Sequence, residues 1–311
     1  LARLRAPSLE DDALLIEFGP SGIRTYPKDR LLFHPSVRLP EASSSVYVEA
    51  EKHEFQVRDY GKAVATLTPL THSPDPTIRA GAYLRIARNH RKAGRPDQAL
   101  RTYAELARYG EASLGGIPAE LVARRARCAV FAGMNRAADL EKEAAELFAL
   151  LRQGHWKLSQ SAYEVHAQEA AGWLGLEQSS EPGALALAEA VAWLWERRHR
   201  EPRGPGRQCL LRQSRLVTLL WTREPEELRA LVAGPRYLER RWLAALTPLT
   251  TSLRVSVAVK EMNPAAGGPT ERAPAATGLP WTVLLAGANV QAELEQFASR
   301  RRLLLGGLVL V

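Results

Sequence analysis

Histidines, cysteines and carboxylates are the side chains able to do chemistry here, and their spacing decides which chemistry is open to them. His34, His53, His72, His90, His155, His166 and His199 never stand four residues apart, and no H-E-x-x-H helix occurs, so the common zinc-hydrolase arrangement is excluded. His90 falls on the inner face of an expected helix, where a packed core histidine is the plainer reading. The two cysteines, Cys128 and Cys209, lie outside any C-x-x-C spacing. Cys128 sits in an apolar helical run from Ala126 to Phe131, where a thiol packs as a small hydrophobe. A bridge between the two is left open, so cysteine usage does not decide the compartment. No G-x-S-x-G elbow, Walker loop or G-x-G-x-x-G follows an expected strand. Gly204-Pro205-Gly206 superficially resembles a phosphate loop, but Pro205 has no N–H to donate, so it reads as a linker. Asp11-Asp12 and Glu226-Glu227 are ordinary helix-start charges. No catalytic, cofactor-binding or metal-ligating residue is expected in this chain.

The elements that would position any site are dominated by one stretch, Arg79 to Arg108. Tyr83, Ile86, Ala87 and His90 share a face at helical spacing, Gly94 can take positive φ, and Pro96 opens a second helix. Ala99, Tyr103 and Leu106 line that second helix, with small Ala87 and Ala99 allowing close approach and Tyr103 covering the junction. This large-small pattern resembles a tetratricopeptide repeat, a unit of about 34 residues. An earlier copy is expected around Tyr47, Ala50, Phe55 and Tyr60, turning at Asp59-Tyr60-Gly61, with Ala63 corresponding to Ala99. A weaker third copy is expected from Ala126, Gly133, Ala138 and Ala145, turning at Gly133, with Lys142 where Tyr103 stood. Ile117 to Glu120 reads as a helix entry.

Around the repeats the pattern changes. Residues 13–33 predict a β-hairpin turning at Gly19 to Gly22, and Pro35 to Ser45 a linker. Helices without the repeat pattern follow over 159–175 and 182–199. Glu201 to Arg207 breaks the helices and marks a domain boundary. Beyond it, 208–221 reads as a helix or buried strand, Pro225 to Leu231 as a helix, and Tyr237 to Leu246 as another. Leu253, Val255, Val257 and Val259 alternate as one strand over 253–260, and 281–286 is a second. The fold expected is mainly α with a smaller α/β part. Residues 1–45 form a short β-containing segment, 46–202 a tetratricopeptide-like helical domain, 208–290 a small PAS/Cache-like α/β sensor-type domain, and 291–311 a signalling helix.

Composition sets bounds on partners. Over 311 residues, 46% are hydrophobic, enough to bury sizeable cores. The net charge of +8 rests on arginine scattered in pairs, Arg124-Arg125, Arg197-Arg198 and Arg240-Arg241. Nucleic-acid readers concentrate such charge on one face, so no nucleic-acid partner is expected. The chain opens at Leu1 without a signal-peptide pattern and closes in mid-run, so it reads as a fragment of a longer protein. At that close, Arg300-Arg301-Arg302 precedes LLLGGLVLV, which looks like the first part of a membrane span. A buried C-terminal helix with a basic first turn is the other reading.

Four stretches together resemble the sensor region of bacterial membrane-bound sensor histidine kinases, in a subgroup with tetratricopeptide-like helices. They are ALLIEFGPSGI, SPDPTIRAGAYLRIARNHRKAGRPDQAL, GIPAELVARRARCAV, and GLPWTVLLAGANVQAELEQFASRRRLLLGGLVLV. The phosphoacceptor H-E-x-x-x-P box and the ATP-binding boxes are absent, so the resemblance carries over no catalytic residue. It implies a kinase core beyond Val311 that uses ATP and Mg, and no cofactor in this fragment. It further implies a signal ligand or peptide as partner, a homodimer, membrane attachment through the C-terminal helix, and a bacterial inner-membrane location with residues 1–299 extracytoplasmic. A non-enzymatic repeat scaffold holding a peptide, and an anchored enzyme whose site lies elsewhere, are the competing readings.

Overall fold

A computed structural model describes residues 12–19, 22–28, 30–37, 39–110, 112–177, 180–200, 204–243, 256–260, 271–272 and 282–286. The chain divides into two compact units, one of residues 29–181 and one joining 1–28 with 182–311.

The first unit is a helical array. Its helices are α1 (Val48–Lys52), α2 (Tyr60–Leu67), α3 (Pro76–Lys92), α4 (Pro96–Leu106), α5 (Ala119–Gly133), α6 (Ala137–Gln153) and α7 (Gln160–Trp173). The α3 helix starts where its sequence says it should. Asp75 accepts a hydrogen bond from the Thr77 N–H at 2.8 Å, and Pro76 fills the first turn, where no N–H is needed. It stops at Gly94, held at φ 70°, so that the Arg95 N–H reaches back to the His90 carbonyl at 2.9 Å and the Gly94 N–H to Arg91 at 3.1 Å. The α4 helix then folds back along α3. Ala87, Ala99 and Tyr103 are each at most 2% exposed and share one apolar cluster with Leu106, Ala119 and Ala123. The expected seam is therefore present. Ile86, however, belongs to a separate cluster with Tyr47, Ala50, Leu67 and Ala82, because α3 is covered on two sides and buries more than one stripe.

The flanking hairpins depart from expectation in register. In the α5–α6 pair the positive-φ residue is Asn135 (φ 55°), not Gly133, with the Arg136 N–H bonded to the Phe131 carbonyl. Cys128 and Ala144 are consequently buried in the seam, whereas Ala138 and Ala145 are exposed. In the earlier pair, Ala63 and Leu67 are buried as expected, but the turn is made by Arg58 at φ 60°. A π-helical turn, His53–Val57, continues α1. Its wider winding carries Glu54 inward and leaves Phe55, expected as an apolar position, 56% exposed. Between α4 and α5 a small hairpin, β3 (Ser113–Leu114) and β4 (Ile117–Pro118), turns on Gly115 and Gly116. In the expected linker, residues 35–37 and 39–43 have no regular structure and Ser44 and Ser45 open a 3-10 helix (Ser44–Tyr47), while Leu31, Leu32 and Phe33 just before it are buried in this unit. Phe33 packs on Tyr163 and the Leu31 backbone lies against Gly154, so the hairpin predicted through Phe33 ends earlier.

The second unit holds a five-stranded antiparallel sheet in the order β2-β1-β7-β6-β5. Its strands are β1 (Ala13–Gly19), β2 (Gly22–Tyr26), β5 (Gly204–Arg212), β6 (Arg215–Arg223) and β7 (Leu228–Ala233). This corrects three expectations. Gly204-Pro205-Gly206 opens a strand rather than a linker, 208–221 is a hairpin, and Leu228 to Leu231 is strand rather than helix. The β5–β6 turn puts Gln213 and Ser214 at positive φ, a conformation that their residue types do not advertise. Gly206 is required by its cross-strand partner, since a Cβ there would lie 2.2 Å from the Trp221 indole. Helix α8 (Pro182–Arg197) packs on these strands, with Phe18 meeting Trp195 edge-on at 5.3 Å between ring centres. The sequence grouping, which carried the helical domain on to 202, thus differs from the observed units, which place α8 with the sheet. Asp12 ties β1 to the short α9 (Pro235–Tyr237), its carboxylate accepting the Arg236 N–H at 2.7 Å. A further sheet contains β8 (Ser256–Lys260), β9 (Glu271–Arg272) and β10 (Thr282–Ala286) in the order β8-β10-β9, so both late strands exist and pair. Residues 253–255 and the helix expected over 291–311 lie outside the described residues. Among those described, no helix is long and apolar enough to cross a membrane.

Two substitutions test this packing. Ala99→Trp overfills the α3–α4 seam and is expected to cost about 1–3 kcal/mol in urea unfolding. Gly154→Ala meets both the positive φ and the Leu31 carbonyl, so it is expected to lower the thermal midpoint measurably. An unchanged melt for both variants contradicts the described array.

Candidate functional site

The residue types most able to hold a ligand converge where α1 and its π-turn meet α3. Glu51 and Glu54 project from the first hairpin toward Arg85, Arg88 and Lys92 of the next. Arg85 donates through Nε to Glu51 at 2.8 Å, with its guanidinium carbon 3.7 Å from the Tyr47 ring centre. Tyr47 is itself fixed, its hydroxyl donating to the Ile78 carbonyl at 3.0 Å across Gly81, which leaves room for the ring. One turn on, Arg88 grips Glu54 with two bonds of 2.5 Å, and the Lys92 ammonium adds a third at 2.7 Å. The Phe55 ring lies beside both cations, its centre 4.2 Å from Lys92 Nζ and 5.0 Å from the Arg88 guanidinium.

Electrostatics follow from this geometry. Burial pushes the Glu54 carboxyl upward, but the hydrogen bonds from Arg88 and Lys92 outweigh it and hold the group below its ordinary range. Tyr103 lies buried close to this cluster. Burial raises its phenol, while Arg91 and Arg88 pull the other way. The arrangement is a cationic surface with an aromatic flank, able to bind an anionic group and without a nucleophile or general base poised for chemistry.

Other polar groups are structural. Arg124 bonds Glu120, Glu143 and Glu146, tying α5 to α6, and Arg125 bonds Glu169 of α7. A shallow cavity of about 370 Å³ lies along α6 beside Phe148, Arg152, Leu174 and Glu181.

Compared with protein-family models, curated proteins and solved structures, the chain matches none. Its function must therefore be read from its own geometry.

The residues that the sequence singled out are not brought together. His90 is half-buried, and burial with Arg95 and Arg101 beside it disfavours its protonation. His166 is buried in α7, with its proton affinity lowered first by burial and then by Arg125. The Cys128 thiol is pushed up to about 12, chiefly by burial, which makes it inert as a nucleophile. Cys128 and Cys209 form no disulfide with each other. Among the described residues no group of three or more His, Cys, Asp or Glu side chains could hold a metal. What sequence reasoning missed is the Glu54 cluster. The available signal was a shared spacing, since Glu51–Arg85 and Glu54–Arg88 are each 34 residues apart.

A carboxyl whose folded value is depressed contributes stability that is present above its ordinary value of 4.5 and is lost as pH falls through the lower folded value. Glu54→Gln is expected to cost about 1–3 kcal/mol at neutral pH, because Arg88 and Lys92 lose their charged acceptor. The gap between wild type and variant should close below pH 4.5 in urea melts run at a series of pH values. A gap independent of pH contradicts the ionised bridge.

Proposed function

We propose that this chain is the signal-sensing region of a bacterial membrane-bound sensor histidine kinase. In this reading the helical array captures the signal ligand and the C-terminal segment relays it toward an ATP- and Mg-dependent kinase core. The observation that carries it is an order along the chain: a helical array over 29–181, then the larger part of the sheet-containing unit from 182, then Arg300-Arg301-Arg302 and an uninterrupted apolar run. A helix running from a folded body into a bilayer can pass on a small displacement, provided that the ligand binds the two positions with different affinity. Dimerisation would give that helix a second copy to move against. This reading places residues 1–299 outside the cytoplasm.

The second reading is a non-enzymatic scaffold in which the array alone holds a peptide. It is favoured by the exposed Phe55 and the cations beside it, a surface suited to binding whether or not a membrane is attached.

Fractionation separates the two. The full-length protein, expressed in bacteria, is expected in the membrane pellet and released to the supernatant when residues from 303 onward are removed. If it remains in the supernatant with the apolar run intact, the membrane-sensor reading fails and the scaffold replaces it.

A further inference from the structure

The surface around Phe55 combines two properties that rarely coincide by accident. The first is apolar exposure. Among the described residues, Val46, Val48, Phe55 and Val57 are large hydrophobics left open to solvent within one short segment, Phe55 to 56% and Val57 to 58%. The second is a surplus of positive charge. Arg88 and Lys92 share the single Glu54 carboxylate, and the exposed Arg91, three residues on from Arg88 in α3, lies one turn along the same side of that helix. Three cations against one carboxylate favour an incoming anion. The neighbouring Glu51–Arg85 pair is already balanced and adds nothing to the surplus.

The chemistry of the occupant follows. Arg88 and Lys92 are held down on Glu54, with side chains only 27% and 31% exposed, so they cannot stretch outward to headgroups as surface cations at a bilayer do. An extended chain can instead lie along the surface and bring its own carboxylates to them. We propose that this face of α1 and α3 docks an acidic peptide segment, one carboxylate meeting Arg91 and Lys92 and an adjacent apolar side chain packing on Phe55. The inference rests on the capture role given above to the helical array and names the class of ligand. It requires no membrane attachment, so fractionation and binding can fail separately.

The test is fluorescence anisotropy of the full chain with a short fluorescein-labelled peptide alternating Glu and Leu. Two control peptides replace every Glu by Lys or every Leu by Ser. The Glu–Leu peptide is expected to bind, more weakly as salt is raised, and both controls to bind at least roughly tenfold more weakly. Arg91→Glu and Phe55→Ser alter exposed side chains, and circular-dichroism melts check that they fold. Each should weaken binding roughly tenfold, and Arg91→Glu should recover affinity for the Lys-containing peptide. Absence of binding by wild type, equal binding of the Lys control, or variants that bind as wild type does would each overturn the proposal. So would binding of phosphatidylglycerol vesicles, lost in the same variants, with the peptide left unbound.

Discussion

Four of the tight turns in the helical array depend on one residue held at positive φ. Arg58 between α1 and α2, Gly94 between α3 and α4, Asn135 between α5 and α6, and Gly154 between α6 and α7 play that part, and Gly175 ends α7 in the same way. Only there can the next N–H swing back to close the last carbonyls of the helix, as Arg95 does on His90, Arg136 on Phe131 and Leu176 on Ala171. The joint also fixes where the returning helix lies. Once α4 is folded back on α3, Ala87 and Ala99 are fully buried in the seam and Tyr103 packs in the same cluster, which leaves little room for larger side chains. Glycine carries the joint at no steric cost, asparagine at little, and arginine at most. The hairpin that turns on Arg58 is also the one whose first helix widens into a π-turn. That widening turns Glu54 in and Phe55 out, so the exposed aromatic and the buried carboxylate have one common origin.

The same logic explains what could be read in the sequence. The α3–α4 hairpin was legible because Gly94, Pro96, Ala87 and Ala99 each have a single plausible role at their spacing. Its successor was displaced because Gly133 is the more conspicuous turn residue, while Asn135 takes the left-handed conformation and Gly133 ends its helix. The sheet around β6 was hidden for a different reason. Val217, Thr218, Leu219 and Trp221 are buried on both faces, so alternation, the usual mark of a strand, is missing. The β5–β6 turn is made by Gln213 and Ser214, neither of which signals one. The cationic cluster is not legible from any one arginine, which taken singly reads as surface charge. Their partners lie 34 residues away, and the packing of one hairpin on the next brings them together.

That shared spacing gives the charges a structural purpose besides any ligand. The apolar contact between the first hairpin and α3, made by Tyr47, Ala50, Leu67, Ala82 and Ile86, attracts without direction. Two carboxylates on one hairpin, each meeting a cation on the next, are satisfied in a single register, with a helical turn between Glu51–Arg85 and Glu54–Arg88. The buried carboxylate costs solvation, and the three bonds from Arg88 and Lys92 offset it. Arg88 alone supplies two of those bonds, and an ammonium has three protons, of which Lys92 directs one to Glu54. The register therefore rests mainly on Arg88, and Lys92 keeps donors for a second acceptor. A carboxylate arriving beside Arg91 can share Lys92 without stripping Glu54 of its partners. Stacking of the hairpins and recognition at their surface can draw on the same cations because the geometry divides their hydrogen bonds between the two tasks.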